Sequence, residues 1–374
     1  MSDAFENVKK NFGFGCMRFP MRDKEVDYDL TSKMIDTFME NGFNYFDTAH
    51  GYIGGKSEGA IKKCLTSRYR RDEYILVNKL TESFFKKEED IRPFFDSQLE
   101  ACGVEYFDLY LMHAQNEKYF KKYKECRAYE TAFDLKKEGK IKHVGISFHD
   151  KAEVLDRILT EYPELEAVQI QLNYVDYDDG SVEGKKCYEV CVKHGKPVIV
   201  MEPVKGGSLV KLPDQAQKIF DSLGGGSNAS YALRFAAGFE NVKMVLSGMS
   251  NMEQLEDNIS VMKDFKPLSE IEAEAVARVC AIFKSAELIP CTGCQYCVSS
   301  CPAGISIPNL LADMNAKNVY KSWNSDWYYM VHTQSGGKAS DCIECGQCEK
   351  VCPQNLKIPQ LLKDVAQAFE KKKN

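Results

Sequence analysis

A cysteine pattern occurs twice near the end of this 374-residue chain, as Cys291-x2-Cys294-x2-Cys297-x3-Cys301-Pro302 and again as Cys342-x2-Cys345-x2-Cys348-x3-Cys352-Pro353. Three thiolates at two-residue gaps wrap three irons of a cubane, and in two-cluster domains the fourth cysteine of each run ligates the other cluster. The spacing therefore assigns Cys291, Cys294, Cys297 and Cys352 to one 4Fe-4S cluster, and Cys342, Cys345, Cys348 and Cys301 to the second. Paired structural zinc sites are the alternative, since they also use four cysteines with two-residue gaps; the x3-Cys-Pro ending favours the clusters. Each run is followed by a similar phrase, ISIPNLL at 305–311 and LKIPQLL at 356–362, in which proline opens a helix at its first turn.

The chain holds 15 cysteines, and the seven outside these runs (Cys16, Cys64, Cys102, Cys126, Cys187, Cys191 and Cys280) follow no spacing. Clustered cysteines in a long reduced chain read as metal ligands rather than disulfides. No apolar run approaches the roughly 20 residues of a membrane span, and the opening MSDAFENVKK has no apolar stretch to serve as a signal peptide. A cytoplasmic protein is expected. A net charge of -6 argues against nucleic acid as a partner, because such binders carry a basic footprint.

Ahead of the cysteine runs, apolar stretches of strand length lie near 11–17, 44–49, 74–79, 107–113, 143–148, 167–173, 197–204 and 242–249. Amphipathic stretches separate them at 29–40, 56–65, 90–102, 128–137, 152–159, 184–194 and 227–236. Eight strands alternating with helices in about 250 residues fit a (β/α)8 TIM barrel. An open doubly wound sheet is the competitor, but no G-x-G-x-x-G follows the first strand. Residues 1–268 are read as the barrel. Residues 269–374 are read as a small, mainly helical, two-cluster ferredoxin-like domain whose long connection carries Trp323, Trp327, Tyr328 and Tyr329.

Chemistry on such a barrel sits where the strands end. Run two ends in Phe46-Asp47-Thr48-Ala49 with Tyr52 just beyond, run three in Val77-Asn78-Lys79, and run four in Leu111-Met112-His113. With Ser57-Glu58, Gly145-Ile-Ser147, Gln169, Glu202-Pro203 and 247–258 (SGMSNMEQLEDN), these residues resemble the aldo/keto reductases, in the branch that carries a C-terminal 4Fe-4S domain. The resemblance implies carbonyl–alcohol interconversion by Asp47, Tyr52, Lys79 and His113. Reduction needs a proton at oxygen, and a phenol near pKa 10 gives one up readily only beside a cation. Lys79 is expected to supply that charge, Asp47 to pair with Lys79, and His113 to hold the substrate oxygen.

The resemblance also implies NAD(P)H, with Ser147, Gln169, Lys205, Gly248, Ser250, Gln254 and Asn258 as candidate contacts. Here the sequence departs from its relatives. Phe148 stands where they usually have Asn, Met201 where an aromatic stacks on nicotinamide, and Gly248 and Gln254 where basic residues grip the 2'-phosphate. Without that clamp NADH is favoured over NADPH. Lys205 meets either the pyrophosphate or solvent. Arg18 is open between a substrate carboxylate and a surface ion pair, His149 is a possible cleft residue, and His50 reads as a loop residue. The expected function is a small-molecule carbonyl/alcohol oxidoreductase with two clusters for electron transfer, to which an electron-transfer protein is a possible partner. The alternatives are a reductase fed by flavin or by the clusters without nicotinamide, and a non-enzymatic redox-sensing barrel subunit.

Overall fold

The structure, a computed structural model, describes residues 4–179, 182–285, 288–318, 325–333 and 336–370. Eight parallel strands close into a barrel: β1 (Phe12–Gly15), β2 (Tyr45–Asp47), β3 (Ile75–Leu80), β4 (Phe107–Gln115), β5 (Ile141–Phe148), β6 (Ala167–Gln171), β7 (Val198–Met201) and β8 (Val242–Ser247). Each pairs with its neighbours in chain order, and β8 returns to β1 through Phe12↔Val245 and Phe14↔Ser247. This is the TIM barrel expected from the alternation. Polar side chains start several of the intervening helices. Asp27 accepts from Leu30 N, Asn116 from Tyr119 N and Asn251 from Gln254 N, each supplying an acceptor to a helix start that has none of its own.

Side chains alternate across a strand, so every second residue faces the barrel interior. Tyr45, Ile75, Val77, Leu109, Leu111, Ala167, Ile199, Met244 and Leu246 form one buried cluster there, with Phe5 packed among them. Continuing each row by two residues toward the C-terminal end gives Asp47 after Tyr45, Lys79 after Val77, His113 after Leu111 and Gln169 after Ala167. The pleat that fills the core with hydrocarbon therefore carries the ionisable groups to one mouth.

Several described elements escaped the sequence reading, helix Met252–Met262 among them. The short antiparallel pair Met21–Arg22 and Glu25–Val26 is too brief to show a period. Helix Glu117–Glu125 is mostly charged and buries only Phe120 and Tyr123, and helix Asp214–Asp221 buries only Ala216, Ile219 and Phe220.

The chain divides into two compact units. One comprises Met1–Pro203 with Ala229–Ser269, and the other Val204–Asn228 with Glu270–Asn374. The second unit thus takes a segment of the sequence between β7 and β8. It has its own core, including Ile305, Ile307, Leu310, Leu311, Ile358, Leu362 and Val365. Its paired helices, Ile307–Asn318 and Ile358–Phe369, both carry proline as their second residue. Tyr329 is buried and stacks on Phe369 at 4.6 Å, while Tyr328 is exposed. Trp323 and the side chain of Trp327 lie outside the described residues.

Gly145 sits in the interior row of β5, where a Cβ would lie 2.5 Å from Ala167 O and 2.9 Å from Leu111 Cδ2. Gly145→Ala is expected to cost about 1–3 kcal/mol through overpacking. The urea midpoint should fall; a midpoint equal to wild type would show that β5 and β6 can separate freely.

Candidate active site

Lys79 is fully buried, and its Nζ donates to Asp47 Oδ1 at 2.5 Å and to Thr48 O at 2.8 Å. The second Asp47 oxygen accepts from Gln169 Nε2 at 3.3 Å. Burial pushes the Asp47 carboxyl up and the Lys79 ammonium down, and their mutual attraction opposes both shifts. The same ammonium lies 5.0 Å from the centroid of the Tyr52 ring. Tyr52 in turn meets the His113 ring edge-to-face, with centroids 6.1 Å apart. The four residues read from the strand ends are therefore neighbours.

Burial holds His113 well below the usual imidazole range, and the charges of Lys79 and His149 add to the effect. Burial likewise brings His149 down to about 4. His113 Nδ1 is 2.7 Å from Thr81 Oγ1. Both histidines are neutral at ordinary pH, so His113 is suited to hydrogen bonding rather than to carrying charge.

The expected dinucleotide contacts are partly engaged within the protein. Ser147 Oγ accepts from Ala114 N at 2.7 Å, Gln169 Nε2 is committed to Asp47, and Asn258 Nδ2 donates to Ser247 Oγ at 3.1 Å. Each keeps a complementary group: the Ser147 hydroxyl proton, Gln169 Oε1 and Asn258 Oδ1. Ser250 N donates to Gln254 Oε1, and Ser250 Oγ donates to Arg18 O. A Cβ on Gly248 would lie 3.0 Å from Arg18 Cδ, so the arginine stem covers that glycine. Lys205 is buried and belongs to the second unit, apart from the other six.

Sequence reasoning missed the surroundings of His50. Its Nδ1 lies 2.7 Å from Glu58 Oε2, and this hydrogen bond raises the imidazole above its ordinary value. Glu58 is buried, and its other oxygen accepts from Asn78 Nδ2 at 2.8 Å and from Gln98 Nε2 at 3.1 Å. The Ser57-Glu58 phrase was the available signal; its partners come from distant elements.

The cysteines gather in two recesses of the second unit. Cys291, Cys294, Cys297 and Cys352 line one, with Pro308, Leu311 and Ile358. Cys301, Cys342, Cys345 and Cys348 line the other, with Pro359 and Leu362. Ile307 borders both. Four thiols around an apolar hollow suit a cubane, whose irons take sulfur ligands. Among the described residues no three His, Cys, Asp or Glu side chains converge closely enough to hold a single metal ion.

Residues 11–280 match the aldo/keto reductase family, which is well over half of the sequence. The chain belongs to that family. Residues 290–356 of this aldo/keto reductase match a 4Fe-4S dicluster domain. It is 34% identical over 106 residues to 4-dihydromethyl-trisporate dehydrogenase of Mucor mucedo, covering 27% of this chain and 30% of that protein. It is 27% identical over 195 residues to the NADH-specific methylglyoxal reductase of Escherichia coli (strain K12), covering 47% and 57%. The chain thus spans less than two thirds of the length of either relative. The solved aldo-keto reductase of Klebsiella pneumoniae in complex with NADPH aligns at TM-score 0.58 and 19% identity, over 72% of this chain and 90% of that one, and shares the fold. No described helix is long and apolar enough to cross a membrane.

Removing one partner of a buried ion pair leaves an uncompensated charge, at a cost of about 3–5 kcal/mol. Asp47→Asn should therefore destabilise the barrel by that order, and the double replacement Asp47→Leu with Lys79→Met should recover most of the loss, both read from denaturant unfolding. A double variant no more stable than Asp47→Asn would contradict this account. A Cβ on Gly206 would fall 1.9 Å from the carbonyl oxygen of Thr292, between Cys291 and Cys294. Gly206→Ala should displace that loop and lower iron content, with the loss confined to one of two clusters by electron paramagnetic resonance; full iron loading would overturn this.

Proposed function

We propose that the barrel, residues 1–268, interconverts a small carbonyl and its alcohol with a nicotinamide cofactor, and that residues 269–374 carry two 4Fe-4S clusters for electron transfer. The observation that carries this reading is the buried Lys79–Asp47 pair beneath the Tyr52 ring, next to a neutral His113. When bound, the nicotinamide supplies hydride to the carbonyl carbon. Tyr52 gives its phenolic proton to the oxygen, and the Lys79 ammonium stabilises the phenolate left behind. Asp47 fixes that ammonium in place, and Thr48 O takes a second of its protons. His113 binds the substrate oxygen. In the oxidative direction the same groups run in reverse, with the phenolate accepting the alcohol proton.

The remaining functions of Ser147, Gln169 and Asn258 face the dinucleotide in this reading, while Gly248, Ser250 and Gln254 shape its rim. Gly248, Ser250 and Gln254 bring no cation of their own, and Arg18 is the basic side chain that packs on Gly248; from the three positions themselves NADH should bind at least as tightly as NADPH. The relative from Escherichia coli, described as NADH-specific, makes methylglyoxal a suitable probe. Cys291, Cys294, Cys297 and Cys352 hold one cluster and Cys342, Cys345, Cys348 and Cys301 the other. Bound there, the clusters supply single electrons. Cys345 is the exposed member of the eight, which makes the second cluster the one to meet an external electron-transfer protein.

One observation favours a second reading, in which flavin or the clusters replace nicotinamide: Phe148 and Met201 stand where relatives place Asn and an aromatic, and Phe148 is buried. The absorbance spectrum of anaerobically purified protein separates clusters alone from clusters with flavin.

Tyr52→Phe deletes the proton and little volume, and Lys79→Met deletes the charge. Each should lower kcat for methylglyoxal with NADH more than tenfold, a loss above about 1.4 kcal/mol. Retention of more than a tenth of the wild-type rate would refute the assignment. Iron content should be about eight per chain. Cys301→Ala should damage the cluster of the second run and Cys352→Ala that of the first; the opposite pattern would exclude crossed ligation.

A further inference from the structure

The barrel leaves one ambiguity at its mouth. A neutral imidazole carries a single proton, and His113 can bind a carbonyl oxygen as a donor only if that proton is on the nitrogen facing the substrate. Nδ1 is already occupied, 2.7 Å from Thr81 Oγ1. Everything then depends on the direction of that one hydrogen bond.

Thr81 is the first residue beyond β3, two positions after Lys79, and stands at the start of the short helical turn Glu82–Phe84. Threonine at such a position ordinarily turns its oxygen onto the backbone N–H groups of the turn. Here it makes no such cap, and its backbone carbonyl alone accepts from Phe84 N. The hydroxyl is directed at His113 instead. Among the described residues, Nδ1 is the one hydrogen-bond partner of Thr81 Oγ1. A hydroxyl that merely accepted from Nδ1–H would find no acceptor for its own proton among the described protein groups, whereas donation to a bare Nδ1 satisfies both groups.

A second element holds the two residues in register. Tyr123 is fully buried, and its hydroxyl bonds to Leu80 O at the end of β3 and approaches His113 O on β4 at 3.4 Å. Gln115 Nε2 donates to the same His113 carbonyl at 3.1 Å. The backbones on either side of the Thr81–His113 bond are thus tied together from below.

We infer that Thr81 is a positioning residue that donates its hydroxyl proton to Nδ1 of His113, so that the imidazole presents Nε2–H to the substrate oxygen. This rests on the carbonyl-reduction reading for its purpose but not for its observation, because a tautomer can be measured without turnover.

The test is a long-range proton–nitrogen correlation spectrum of protein labelled with 15N-histidine, with the His113 signals identified by their loss in His113→Gln. The wild type should show a protonated Nε2 and an unprotonated Nδ1 across pH 6–8, as expected of a group whose burial keeps it neutral. Thr81→Val keeps the shape and deletes the donor. It should yield a mixture of tautomers and a kcat at least tenfold lower with methylglyoxal, and Thr81→Ser should restore the wild-type spectrum and bring kcat within threefold. A wild-type Nδ1–H, or a Thr81→Val protein with unchanged tautomer and rate, would overturn the inference. Should Thr81→Val fail to fold, the wild-type spectrum and Thr81→Ser decide the matter alone. Failure of the spectrum leaves the Tyr52→Phe experiment untouched, so the two readings fall separately.

Discussion

An ammonium group with no exposure to water is the constraint to which the mouth of this barrel answers. Desolvating a charge costs several kcal/mol even in a relaxed protein interior, and the debt is met only by good geometry. Lys79 on β3 finds Asp47 on β2 and the carbonyl just after it, and Gln169 on β6 fills the remaining carboxylate oxygen. Three strands thereby converge on one charge. Tyr52 and His113 take positions around a cation whose location is already decided.

Much of this was legible because a strand has a period of two. Val77 and Lys79, or Leu111 and His113, are visible in the sequence as consecutive members of one row, and placing the row inside a barrel brings their ends together. The expected mouth and the described one therefore agree on Asp47, Tyr52, Lys79 and His113 as neighbours. What the sequence did not reveal are partners joined through space without periodicity. Glu58 meets Gln98 across 40 residues and Thr81 meets His113 across 32. Neither pair has a local signature, because a threonine after a strand reads as a cap and a glutamate after a serine as the first turn of a helix.

The cysteine runs show the opposite case, where spacing alone carried the reading to three dimensions. Each recess draws three cysteines from one run and the fourth from the other. The repeated phrase with its Ile-Pro pair folds as two helices whose first residues face the hollows, so one apolar side chain, Ile307, borders both. Hydrocarbon borders the thiols while their burial differs, Cys297 and Cys348 being buried and Cys345 exposed, and solvent access of this kind bears on the potential of an iron–sulfur group.

The division of the chain has a consequence for how the protein comes into being. Seven strands are laid down before residue 204, yet the chain then spends Val204–Asn228 in the second unit before returning to build β8. During synthesis that segment emerges before Glu270–Asn374, the remainder of its unit, has been made. Gly206 waits for Thr292, more than eighty residues later, to fill the space against it. A gene cut at residue 269 would thus encode the first unit whole together with a stray piece of the second, and leave behind a cysteine-rich fragment missing one of its segments. Order of manufacture therefore falls unevenly on the two units: the first is complete at Ser269, while the second, begun at Val204, is finished only when the last residues are made.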